Sequence, residues 1–154
     1  RWNSIFNINL GLRGICQAEK HWVYFPDKKN IFFRVGFFHN FIKRMPLAKR
    51  SSLYAEVSYR NNKQMKKEEM IASVLKGLKK TGLISCRQTV IAQDVNDIKY
   101  GYPIYDINYP LARKGIVDFL LKQGIIPCGR YGSWRYMSME DAILDGKSVA
   151  DNIQ

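Results

Sequence analysis

Apolar and polar residues alternate from Asn3 to Gly14, with Phe6, Ile8, Leu10 and Leu12 on one side and Asn7, Asn9 and Gly11 among those on the other. A period of two is the signature of a half-buried strand. His21 to Phe25 predicts a second, aromatic-rich strand and Ile31 to Phe38 a third, with Pro26 to Asn30 as the turn between them. Ser51 to Arg60 returns to alternation, with Leu53, Ala55, Val57 and Tyr59 set against Tyr54, Glu56 and Ser58. The period then changes. From Lys66 to Lys80, Met70, Ile71, Val74, Leu75 and Leu78 recur at helical spacing, and Gly82 stands where a helix C′ residue is expected. Ile84 to Tyr100 predicts a longer strand with polar interruptions at Gln93 to Asn96.

Beyond Tyr100 the pattern becomes helical. Asn108 can cap a helix with Pro110 in its first turn and Gly124 at its stop, with Leu111, Ala112, Ile116, Phe119 and Leu120 as its buried face. Ile125 to Cys128 fits a buried strand end. A closing helix from Ser138 carries Ala142, Ile143, Ala150 and Ile153 near one side. The layout is α+β: an antiparallel sheet with one packed helix, then a helix–strand–helix tail. The apolar strand of the tail has no parallel partner in the chain, as if it contributed to a sheet whose other strands lie elsewhere.

Two places carry candidate chemistry. Arg34 interrupts the apolar run from Ile31 to Phe38, so it either reaches solvent from an edge strand or is held for a buried anion. The stretch from Gly129 through Arg130, Tyr131, Gly132, Ser133, Trp134, Arg135 and Tyr136 to Asp141 joins the predicted strand to the last helix. A glycine-bearing turn before a helix N-terminus brings backbone N–H groups and the positive end of the dipole toward an anion. Arg130 and Arg135 add fixed charge, and Ser138 with Asp141 three residues on makes a short-armed capping box. An ordinary arginine-bearing turn has the same spacing.

The 154 residues, 46% hydrophobic and 25% charged, are enough for one ordinary core. A net charge of +12 implies anionic partners, with basic clusters at Lys43 to Arg50, Lys63 to Lys67 and Lys76 to Lys80. The third cluster suits a helix C-terminus, and a solvated loop accounts for the others better than a nucleic-acid site does. Cys16, Cys86 and Cys128 are far apart, and His21 and His39 are isolated, so no metal site is expected. Each Cys reads as a small buried hydrophobe in a reduced, cytoplasmic protein. No dinucleotide fingerprint, phosphate-loop lysine, nucleophile elbow or bilayer-spanning run is present in the sequence. The chain starts without Met and with alternation under way by Ile5, which suggests a piece of a longer protein.

The Gly129 to Asp141 stretch resembles the C-terminal flavin-contacting segment of FAD-dependent amine-oxidase and protoporphyrinogen-oxidase-like proteins, in their UDP-galactopyranose mutase-like branch. His21 to Pro26, Phe33-Arg34-Val35, Ser51 to Val57 and Tyr102-Pro103 follow in the family's order, so the resemblance spans nearly the whole chain. It implies an antiparallel-sheet substrate domain over residues 1–106 and, over 107–154, the C-terminal return segment of an FAD-binding domain whose N-terminal Rossmann lobe is absent. The cofactor it implies is FAD, contacted by Gly129, Arg130, Tyr136, Met137, Ser138 and Met139. Arg34, Tyr102 and Tyr136 are implied contacts of an anionic or nucleotide-sugar substrate. The parent would be a flavin-dependent oxidoreductase or a mutase of surface polysaccharide synthesis. The mutases have Asp two residues after the tyrosine that Tyr136 matches; this chain has Ser138. The fragment alone is expected to be inactive and to self-associate through its apolar tail.

Overall fold

The strands and helices of the computed structural model follow one another as β1 (Trp2–Arg13), β2 (Trp22–Tyr24), β3 (Arg34–Phe37), β4 (Arg50–Tyr59), α1 (Lys67–Lys80), β5 (Thr89–Pro103), α2 (Tyr109–Lys122), α3 (Gly129–Gly132) and α4 (Met139–Asp151). A short 3₁₀ turn, Phe38–Asn40, follows β3. Residues 1–16, 19–41, 49–60 and 66–153 are described; most of the two basic clusters before α1 lies outside them.

The strands form one sheet in the order β2-β3-β4-β1-β5. β1 and β4 are antiparallel through a long register, from Ser4 opposite Tyr59 to Arg13 opposite Arg50. That register puts Phe6, Ile8, Leu10 and Leu12 beside Val57, Ala55 and Leu53 on one face, where all are buried. Met70, Val74 and Leu78 of α1 close over the same core, together with Phe32, Val35 and Phe37. Here the period of the sequence and the burial agree, because the core that these residues need is supplied by the chain itself.

Chain contacts divide the protein into two units, Ser4–Lys99 and Arg1–Asn3 with Tyr100–Gln154. The first holds the core just described. In it α1 is followed by Gly82 (φ +75°) at the C′ position, and the Ile84 N–H reaches back to the Leu78 carbonyl at 3.2 Å. The predicted strand from Ile84 begins five residues late, at Thr89, because Ile84 closes onto the helix and Ser85 to Gln88 form a turn of their own. There the Gln88 N–H donates to the Ser85 carbonyl at 3.2 Å and the Ser85 N–H to the Gln88 side chain at 2.7 Å. Of the three thiols only Cys16 is buried; Cys86 and Cys128 are exposed, which corrects the buried reading of each.

In the second unit the Arg1 guanidinium meets Asp106 at 3.2 Å, and the Asn3 side chain accepts the Tyr102 N–H at 3.0 Å. Three expectations change here. Asn108 sits at the N-cap of α2 without capping it, while the Asp106 carboxylate accepts the Asn108 N–H. Ile125 to Cys128 forms no strand: the Ile125 N–H closes α2 onto the Leu120 carbonyl at 2.9 Å, and among the described residues no strand pairs with the segment. The tail is thus helix, extended link, short helix, helix. Finally, α2 and α4 have no buried residue, and Phe119 and Ile143 are 61% and 71% exposed. Their apolar stripes exist as read, but nothing described covers them.

Candidate functional site

Tyr102, Arg130 and Tyr136 come together in the second unit. The Arg130 guanidinium carbon lies 4.8 Å from the Tyr102 ring centroid and 4.9 Å from that of Tyr136. The two rings are themselves stacked at 6.1 Å with planes 26° apart. One Arg130 Nη donates to the Met137 carbonyl at 3.3 Å. A guanidinium against two aromatic faces keeps its charge and its planar donor edge while being less hydrated than an ammonium would be. Three residues expected from the sequence as ligand contacts are therefore brought into one cluster.

The turn that carries Arg130 is held by several groups. Gly129 has φ +71°, and its N–H donates to the Asp145 carboxylate at 2.7 Å. The Ser133 hydroxyl donates to that carboxylate at 3.3 Å and Arg135 pairs with it at 3.4 Å. From α2, Arg113 donates to the Ser133 carbonyl at 2.6 Å, and the Tyr109 hydroxyl donates to the Trp134 carbonyl at 2.5 Å. Trp134 has φ +48°, a left-handed conformation that costs a non-glycine residue about 1–2 kcal/mol unless its surroundings fix it. The Tyr136 N–H donates to the Tyr105 hydroxyl at 2.6 Å. Burial, then the neighbouring Tyr105, raises the Tyr109 hydroxyl above the ordinary tyrosine value, so it remains a donor.

Met137 is buried, and Ser138 begins α4 with a complete capping box. The Ser138 hydroxyl accepts the Asp141 N–H at 3.1 Å, and the Asp141 carboxylate accepts the Ser138 N–H at 2.8 Å. The carboxylate also accepts the Ser138 hydroxyl at 2.8 Å, and the Ser138 N–H first and this hydroxyl second lower the Asp141 carboxyl below its ordinary value. Met139, the first helical residue, is exposed. The site thus combines two aromatic faces, one fixed cation and a capped helix N-terminus. The position that a Cβ at Gly129 would occupy has nothing within 4 Å, so the backbone there is open to approach. That donor set suits a planar, anionic cofactor: rings to lie against, a cation, and dipole charge of the right sign. The Gly129 N–H is already used by Asp145, so Gly129 would contribute access and not a donor.

Arg34 belongs to the other unit and has its own surroundings. β3 lies between β2 and β4, so the edge-strand alternative fails. Arg34 stands opposite Glu56 in the register, and its Nε donates to the Glu56 carboxylate at 2.5 Å. An Nη donates to the Tyr24 hydroxyl at 3.3 Å, and the guanidinium lies 5.8 Å from the ring centroids of both Tyr24 and Phe33. The buried anion that Arg34 needs is supplied by this chain. Glu56 escaped the sequence reading because its role depends on strand register; an acid on the polar face of a neighbouring strand was the available signal. Asp145 was missed for a different reason, since an acid inside a helix ordinarily faces water.

No protein-family model matches the sequence. Among solved structures the chain is similar to reduced UDP-galactopyranose mutase, with 25% identity and a TM-score of 0.80 over 88% of this chain and 29% of that one. It is also similar to a protein assigned as a protoporphyrinogen oxidase from Exiguobacterium sp. 255-15, with 13% identity and a TM-score of 0.71 over 97% of this chain and 34% of that one. At that lower identity the likeness is one of fold. The chain spans about a third of the length of either structure. Both likenesses agree with the α+β, antiparallel-sheet architecture expected from the sequence.

Proposed function

We propose that this chain is the C-terminal part of an FAD-dependent oxidoreductase. The observation that carries the reading is Arg130 against the faces of Tyr102 and Tyr136, beside the capped start of α4, in a fold shared with reduced UDP-galactopyranose mutase. In this reading Arg130, Tyr136, Met137, Ser138 and Met139 hold the cofactor, with Gly129 leaving room for it. A bound flavin supplies hydride and electron transfer, which no side chain of the site provides. The chain's own work is placement and charge. Arg130 offers a permanent cation, and the first-turn N–H groups of α4 favour negative charge near them. In the other unit, Arg34, oriented by Glu56, would separately contact an anionic substrate.

The apolar faces of α2 and α4 support a larger whole. Exposed stripes of this kind normally meet another surface, and we assign them to an N-terminal Rossmann-type lobe of the same polypeptide. A second copy of this chain would occupy them when that lobe is missing.

A mutase acting on a nucleotide sugar is the second reading, favoured by the likeness to UDP-galactopyranose mutase. Ser138 argues against it, because its hydroxyl and N–H are committed to the capping box and it offers no carboxylate. The test of the flavin reading is Arg130→Ala in the full-length protein. FAD retention or turnover is expected to fall at least about tenfold, equivalent to about 1.4 kcal/mol; unchanged flavin content with unchanged kinetics refutes the assignment. Incubating the reduced protein with UDP-galactose separates the two readings, since ring isomerisation without net redox change marks the mutase.

A further inference from the structure

We propose that Asp145 is a positioning residue that acts through Arg130, an inference that rests on the reading of the Arg130 cluster as a ligand site. Asp145 lies in the middle of α4, two turns from the N-terminus where the dipole would favour an acid, and aspartate is a poor helix former. Its carboxylate is spent on one segment. It accepts from the Gly129 N–H at 2.7 Å, from the Ser133 hydroxyl at 3.3 Å and from the Arg135 guanidinium at 3.4 Å. These three groups bracket Arg130 on both sides in the chain. The Arg130 carbonyl in turn accepts the Arg135 N–H at 3.1 Å, so the backbone of Arg130 is tied to the same clasp. Ser133 is 4% exposed and cannot turn to water for a replacement partner. Losing the carboxylate would release both ends of the turn together, and the direction of the Arg130 side chain depends on that turn.

The site therefore has two layers: Arg130 with the two tyrosines, and Asp145 behind them. Asp145 binds the turn and not the Arg130 guanidinium itself. Its effect is to hold the guanidinium in the one arrangement where it lies against both rings, which limits the orientation entropy lost when a ligand binds.

Two measurements on the full-length protein test this. In the first, arginine is isotope-labelled and the Arg130 side-chain protons are followed by NMR, where the Tyr102 and Tyr136 rings shift them upfield. Asp145→Asn is expected to return them toward unstacked values, Asp145→Glu to give an intermediate shift, and Asp151→Asn, on the same helix, to change nothing. An unchanged upfield shift in a folded Asp145→Asn protein overturns the proposal; should that variant fail to fold, Asp145→Glu decides by the same criterion. The second is a double-mutant cycle on FAD affinity. If Asp145 acts through Arg130, Asp145→Asn weakens binding about tenfold in the wild type and less than about twofold in Arg130→Ala. Equal weakening in both backgrounds marks a merely structural residue and refutes the proposal. If Arg130→Ala itself leaves FAD affinity unchanged, the flavin reading fails, and the NMR measurement alone then decides the part played by Asp145.

Discussion

Gly77 lies in the last turns of α1, where glycine costs a helix about 1 kcal/mol relative to alanine. On propensity alone Gly77→Ala should stabilise the protein. The structure reverses the sign. A Cβ at Gly77 would sit 2.8 Å from Cε1 of Phe32, closer than carbon atoms approach, and 3.4 Å from its Cζ. Phe32 is 1% exposed, and its ring is edge-on to Phe25 at 5.0 Å, so the ring has nowhere to go without disturbing the core. Overpacking of this kind costs about 1–3 kcal/mol. Set against the gain in propensity, the net loss is about 1 kcal/mol, or a fall in Tm of about 2–4 °C for a chain of this size. Gly146 in α4 provides the contrast, because nothing lies within 4 Å of its Cβ position. Gly146→Ala should therefore stabilise by nearly the full propensity difference. Urea denaturation followed by far-UV circular dichroism measures both. If Gly77→Ala proved as stabilising as Gly146→Ala, α1 would not be pressed against Phe32 and the described core would be wrong.

Glu56→Ala leaves the Arg34 guanidinium without its closest anion at a place where the two side chains are 22% and 12% exposed. Removing one partner of a half-buried pair should cost about 2–3 kcal/mol, read as a lowered urea midpoint, with Glu56→Gln losing less. The capping box of α4 should depend on pH. Asp141 is depressed below its ordinary value of 3.8 by bonds from Ser138, so its contribution is present above that value and is lost as pH falls through the lower, folded value. Amide exchange in the first turn of α4, taken relative to its intrinsic rate at each pH, should accelerate in that acid range in the wild type. Asp141→Asn should show the fast exchange already at neutral pH, and an identical profile in the two proteins would contradict the box.

The parts of the fold legible in the sequence are those whose pattern is satisfied by the chain itself. The alternation of β1 and β4 and the stripe of α1 read correctly because each apolar residue finds its partners within the same core. The stripes of α2 and α4 were equally clear, yet a stripe states only that a surface wants covering, not what covers it. Ile125 to Cys128 looked like a strand for the same reason: strand character is local, but a ladder requires a neighbour. At the site, the sequence resemblance singles out Tyr102, Arg130 and Tyr136 one by one but not their mutual contact, while the Ser138–Asp141 box is legible in the spacing of its two residues. The contacts of Arg34 were not foreseeable, because the identity of its anion follows from which residue of β4 lies opposite. Asp145 left no signal at all. Its value arises from a turn that folds back sixteen positions along the chain to meet it.

Cys128 is exposed and directly precedes Gly129, the residue at which the Arg130 turn begins. Nature has thereby left an attachment point at the lip of the candidate site. A small environment-sensitive dye on this thiol, in a protein whose Cys86 has been changed to Ser, would sit one peptide bond from the glycine and brighten or dim as the neighbouring space fills. The buried Cys16 should stay unlabelled under native conditions. Ligand screening could then proceed by fluorescence without a turnover assay and before the physiological substrate has been identified.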